Sequence, residues 1–286
     1  MKHSFLFFTS ILFYQLGSTQ HKPAYQIVDI DNQHVNYSLL LEEARQSDVI
    51  LFGEMHDNPI CHWLEMELMI DLDSLENLVL GLEMIERDNN KSLQRYLTDD
   101  LTYEQLDSVA RLWNNYKTDY KQMVDFAKEN SISVVGTNVP RRFAGAVYKD
   151  GFEALENLTE EEREWLPTIP IDYDENLPGY KDIFSMFDDP SHVNDNLPKA
   201  QAIKDATMAH FIATSIDSTQ QMLHINGSYH SENFEGIVWY LNKYAPELKI
   251  LTIASREQSQ LSVVEEENLA LANFTILVID KMTKSY

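Results

Sequence analysis

The chain has one cysteine, Cys61, so no intramolecular disulfide can staple it. Glycine and proline are scarce, at 9 each, and no Gly/Ser or Pro tract marks a linker between two halves. Basic residues are also few, 22 Lys and Arg against 46 Asp and Glu, for a formal charge of −24. That balance excludes the broad cationic surface of a nucleic-acid-binding protein and reads instead as a solvated, self-repelling exterior. No apolar run reaches the roughly 20 residues a membrane-spanning helix needs. The longest, 5–16, follows Lys2 and His3 and precedes the small residues Gly17, Ser18 and Thr19. This is the layout of a secretory signal peptide, cleaved near residue 20. Cys61 lies far from it, where no lipid anchor would attach. The expectation is a single domain over 21–286, exported to the periplasm or beyond, soluble and unlipidated.

What is present is alternation. Short β-rich runs at 49–53, 78–83, 133–137, 222–226, 250–254 and 274–280 are separated by helical patterns at 39–46, 59–72, 120–129, 199–215 and 234–244. Such alternation predicts an α/β fold with a mostly parallel central sheet flanked by helices. Several runs are nearly continuous in apolar residues, as strands covered on both faces should be. Asn58 and Pro59 supply an N-cap and a first-turn proline for the helix at 59–72. Five prolines scattered among Asp and Asn over 167–198 predict a helical or irregular insertion before the C-terminal third.

In an open parallel sheet, ligands bind beyond the carboxyl ends of the strands. Here those ends are polar: Glu54 and His56 after the first run, Glu83 at the end of the second, Arg141 and Arg142 after the third, and His230 after the fourth. Glu54 and His56, two residues apart in extended backbone, point to one side. If the second run pairs directly with the first, Glu83 lies roughly 5 Å away, and two such carboxylates need a proton or a cation between them. Two imidazoles with one or two carboxylates would suit Zn, Mn or Fe. Glu54, His56, Glu83 and His230 are therefore both the candidate metal ligands and the candidate catalytic groups of a hydrolase. His62, on the helix that follows, reads as packing or solvent exposure.

The segment Gly53-Glu54-Met55-His56-Asp57-Asn58-Pro59 resembles the opening motif of the ChaN family. Further segments match in the family's order: 80–84, the aromatics Trp113, Tyr116 and Tyr120, 127–140, Ala200-Gln201 with 205–209, and 226–230. Together they cover roughly 36–256. The resemblance implies haem binding linked to iron uptake or storage, a tyrosine as iron ligand, and a homodimer with haems face to face between subunits. Tyrosinate is a recognised axial ligand of ferric haem. Tyr180 in the insertion is the matching candidate and Tyr173 the second; Arg141 and Arg142 would meet the propionates. The wider superfamily resembled includes the Tiki peptidases and erythromycin esterases, which implies the alternative of a metal-dependent hydrolase.

Overall fold

The computed structural model describes residues 22–73, 77–187, 189 and 192–286. The expected signal peptide lies outside the described residues.

A short hairpin, β1 (Tyr25–Asp29) and β2 (His34–Val35), leads into α1 (Tyr37–Ala44), β3 (Val49–Glu54), α2 (Pro59–Asp73) and β4 (Leu78–Glu86). Then come α3 (Asn90–Leu97), α4 (Tyr103–Val109), a π-helical turn (Tyr116–Tyr120), α5 (Lys121–Glu129), β5 (Ser133–Asn138) and α6 (Arg141–Asp150). The short helix α7 (Glu160–Arg163) precedes the insertion, within which lie the short α8 (Pro178–Asp182) and a 3-10 turn (Ile183–Met186). Next are α9 (Leu197–Ser215), β6 (Gln221–Gly227), α10 (Ile237–Tyr244), β7 (Ile250–Gln258) and β8 (Phe274–Ile279).

The strands form one sheet in the order β2-β1-β8-β7-β3-β6-β4-β5. From β8 to β5 every pairing is parallel; β1 joins antiparallel to β8, and β2 forms the edge beyond it. Alternation along the central strands explains the two cores. Ile50 and Phe52 of β3 pack with Leu64 and Leu68 of α2, whereas Val49 and Leu51 pack with Ile203 of α9 and Leu241 of α10. Each such side chain contributes roughly 1.5–3 kcal/mol when fully buried. Both layers of helix are therefore needed to cover the parallel strands.

The strand order corrects one expectation: β3 and β4 do not pair, because β6 lies between them and pairs with both. Glu54 and Glu83 thus stand on either side of a third strand, which ends in Gly227. The β1–β2 hairpin is a further departure. Its alternation is too short to stand out, and it is stabilised by the edge of β8. Among the described residues, no helix is long and apolar enough to cross a membrane.

Candidate functional site

Glu54 is the last residue of β3 and is buried, so its charge must be met by protein. Its Oε1 lies 2.7 Å from His56 Nδ1 and accepts the Tyr120 hydroxyl at 2.7 Å. Its Oε2 lies 3.0 Å from His62 Nε2, and His62 Nδ1 lies 3.7 Å from Asp119. Burial disfavours this carboxylate, but the hydrogen-bonded His56 imidazole and the close His62 imidazole outweigh it and hold Glu54 well below the usual range. One turn along α2, Glu65 is buried with both oxygens unpartnered. Burial and the neighbouring Glu54 charge push its carboxyl well above the usual range.

On the far side of β6, Glu83 Oε2 accepts the Gly227 N–H at 2.7 Å and Oε1 lies 3.2 Å from His230 Nε2. His230 Nδ1 lies 2.5 Å from Asp205 Oδ1, and Asp205 Oδ2 accepts the Tyr180 hydroxyl at 2.9 Å. Burial alone would strip the imidazole of its proton; Glu83 and Asp205 outweigh it and push the pKa up to about 9. A continuous relay therefore runs Glu83–His230–Asp205–Tyr180 behind the strand ends. Two glycines make room for His56 and for this relay. A Cβ on Gly227 would stand 2.8 Å from His56 Nε2, and one on Gly236, where φ is +52°, only 2.3 Å from the His230 carbonyl oxygen.

The two clusters open on one cleft of about 770 Å³. His56, whose side chain is 33% exposed, reaches it together with Glu83 and His230. Glu54 stands directly behind His56. The strand ends thus bring all four predicted residues together. Leu112, Trp113, Val139 and Ala144 form an apolar wall, with Trp113 edge-on to the His56 ring at 4.8 Å. Arg141 and Lys204 add positive charge. Among the described residues, neither forms an ion pair with a carboxylate. Arg142 does not line the cleft: it is tied to Asp88 at 2.5 Å, and Asp88 also binds Arg111.

Tyr180 is only 3% exposed and sits behind His230, its hydroxyl committed to Asp205. Tyr173 stacks against it at 5.7 Å. Neither lines the cleft. The tyrosine that does is Tyr286, near the Asp57 loop.

A divalent ion does not fit this donor set. Both oxygens of Glu54 and both of Glu83 already face imidazoles, a hydroxyl or a backbone N–H. Among the described residues, no group of three or more His, Cys, Asp or Glu side chains is arranged to hold a metal ion. The cation expected between the two carboxylates is supplied by imidazoles, because an intervening strand gives each carboxylate room for its own partner.

The family model described as "Haem-binding uptake, Tiki superfamily, ChaN" matches residues 40–241. The chain belongs to this family. Among solved structures, the fold is similar to ChaN of Campylobacter jejuni, described with cofacial haem binding, at 18% identity over 89% of this chain and 96% of that one, with a TM-score of 0.67. An erythromycin esterase in its open conformation aligns at 10% identity over 89% of this chain and 83% of that one, with a TM-score of 0.49. A type III effector aligns at 13% identity over 85% of this chain and 92% of that one, with a TM-score of 0.48. No curated protein matches the chain.

Sequence reasoning passed over His62, Tyr120, Asp205 and Lys204 as site residues. For Asp205 a signal exists: Gln201 and Asp205, four apart on α9, share the helix face that meets His230. For His62 the signal is its place on the first turn of a helix that starts beside Glu54.

Proposed function

We propose that this ChaN-family protein binds haem in the cleft between the Glu54–His56 and Glu83–His230 pairs. The observation that carries the reading is the wall of that cleft, where an apolar and aromatic face stands beside an imidazole and the cations Arg141 and Lys204, which among the described residues form no ion pair with a carboxylate. The group fits these residues. Leu112, Trp113, Val139 and Ala144 would cover the porphyrin, and Arg141 and Lys204 would receive its propionates as charge-assisted hydrogen bonds. His56 would hold the iron, since a histidine is a common proximal ligand. Its Nδ1 faces the Glu54 carboxylate, the arrangement that fixes a ligand imidazole and raises its basicity. When bound, the group supplies iron(II/III) chemistry; the chain's own residues orient it and exclude water from its proximal side.

Export belongs to the same proposal, supported by the apolar run at 5–16, as does a role in haem or iron uptake or storage. So does a homodimer on haem binding, because the Campylobacter protein is described as binding haem cofacially. The experiment is a haemin titration of the purified protein, followed at the Soret band and by thermal stability, since a ligand that binds only the folded state stabilises it by mass action. A saturable Soret shift with a rise in melting temperature is the expected result.

One observation favours a second reading, hydrolysis. In that reading His230, held protonated between Glu83 and Asp205, would act as a general acid, and His56 with Glu54 as a base. Turnover of a panel of carboxylic esters and peptides, lost roughly a hundredfold or more in His230→Asn, would support it.

A further inference from the structure

We propose that residues 284–286 are part of the binding site, with Tyr286 touching the bound ligand and Lys284 and Ser285 acting as positioning residues for the loop that carries His56. The proposal rests on the haem reading only for the probe used to test ligand contact.

The C-terminal segment leaves β8 and crosses back to the strand ends, where it is pinned by polar contacts to three separate elements. The Ser285 N–H donates to the Asp57 carbonyl at 2.8 Å, and Lys284 Nζ reaches Asp57 Oδ1 at 3.1 Å and also pairs with Glu257 of β7. Asp57 follows His56 directly, so both contacts brace the loop between β3 and α2. The Ser285 hydroxyl donates to Asp119 Oδ2 at 2.8 Å, in the π-helical turn. The same Asp119 oxygen accepts from Asn115 Nδ2 at 2.8 Å, and Asn115 Nδ2 also donates to the His56 carbonyl at 2.9 Å. Ser285 therefore grips the His56 loop from two sides, directly through Asp57 and indirectly through Asp119 and Asn115.

The connection also reaches the imidazole. Asp119 faces His62, His62 faces Glu54, and Glu54 binds His56 Nδ1. Ser285 thus stands at the outer end of a chain of polar contacts whose inner end is the side chain that enters the cleft. Beyond it, Tyr286 lines the cleft as a residue 67% exposed, and among the described residues its hydroxyl has no hydrogen-bond partner. A phenol presented to the cleft by anchored neighbours is placed to meet whatever binds there.

Hydrogen exchange on the full chain tests the positioning claim without any ligand. In Ser285→Ala, amides at 55–58 should exchange about fivefold faster, the loss of one hydrogen bond, while Ser285→Thr, which keeps the hydroxyl, restores the wild-type rate. Equal exchange at 55–58 in all three proteins would overturn it. The contact claim is read with haemin: bound haemin should slow exchange at 284–286, and Tyr286→Ala should release haemin about fivefold faster or more. A tail that exchanges equally with and without bound haemin, and unchanged release from Tyr286→Ala, would overturn the contact. A wild-type protein that binds no haemin would instead sink the haem reading and leave the exchange measurement to decide the role of Ser285.

Discussion

His56 Nδ1 lies 2.7 Å from Oε1 of Glu54, a carboxylate with no exposure to solvent. This pair fixes which ring nitrogen the cleft can use, because the buried partner claims the other. Glu54→Gln keeps the shape and removes the charge. Haemin affinity in that variant should fall about 10–100-fold, the usual loss when the carboxylate behind a ligating histidine is altered. Soret titration of both proteins checks it, and an unchanged affinity would detach Glu54 from the ligand.

The relay behind the cleft sets a stability prediction. Asp205→Ala leaves His230 charged against Glu83 alone and Tyr180 without its acceptor. Breaking a buried pair of this kind costs about 3–5 kcal/mol. Tyr180→Phe alone should cost about 1–2 kcal/mol, and the double variant less than the sum, because the two share one network. Urea unfolding of the three variants measures it.

Stability should also depend on pH in a defined sense. His230 is raised from 6.5 to about 9 in the folded protein, so its contribution is complete below about pH 6.5 and is lost as pH rises through 9. Glu54 and Glu83 are lowered, so their contributions are present above the ordinary carboxylate value of 4.5 and are lost as pH falls below it. His224 adds to the acid side. Buried, it is depressed to about 4, and it favours the folded state only above its unfolded value of 6.5. Melting temperature against pH should fall between 6.5 and 9, and His230→Gln should flatten that alkaline limb.

Arg141 and Lys204, the cleft cations that are not tied to a carboxylate among the described residues, predict selection by charge. Haemin should bind at least about tenfold more tightly than its dimethyl ester, since a charge-assisted bond contributes about 1.5–3 kcal/mol. In the Arg141→Gln, Lys204→Gln double variant the two porphyrins should bind alike, at the affinity of the ester. Parallel titrations decide it; equal affinities in the wild-type protein would remove the propionate role.

The strands and their polar tips are legible in the sequence because fully covered parallel strands are apolar on both faces and end where the chain turns polar. Glu54, His56, Glu83 and His230 could be picked out for that reason. Strand order is not local, however, and β6, more than 130 residues after β4, inserts between β3 and β4. That single fact changes the chemistry from a shared cation to two separate carboxylate–imidazole pairs. Tyr180 becomes a candidate iron ligand only through the family resemblance, and the insertion folds it onto Asp205. Lys204 and Tyr286 carry no pattern of their own; only the packing of α9 and the return of the C-terminal segment bring them to the cleft.

The central claim, that haem occupies this cleft against His56, is tested most directly by titrating haemin into wild-type protein and His56→Ala side by side. Soret and charge-transfer bands are followed, with circular dichroism to confirm the fold. The account predicts saturable binding in the wild type, and in the folded variant a displaced Soret band with affinity reduced at least about tenfold. Identical spectra and affinities in the two proteins would contradict it.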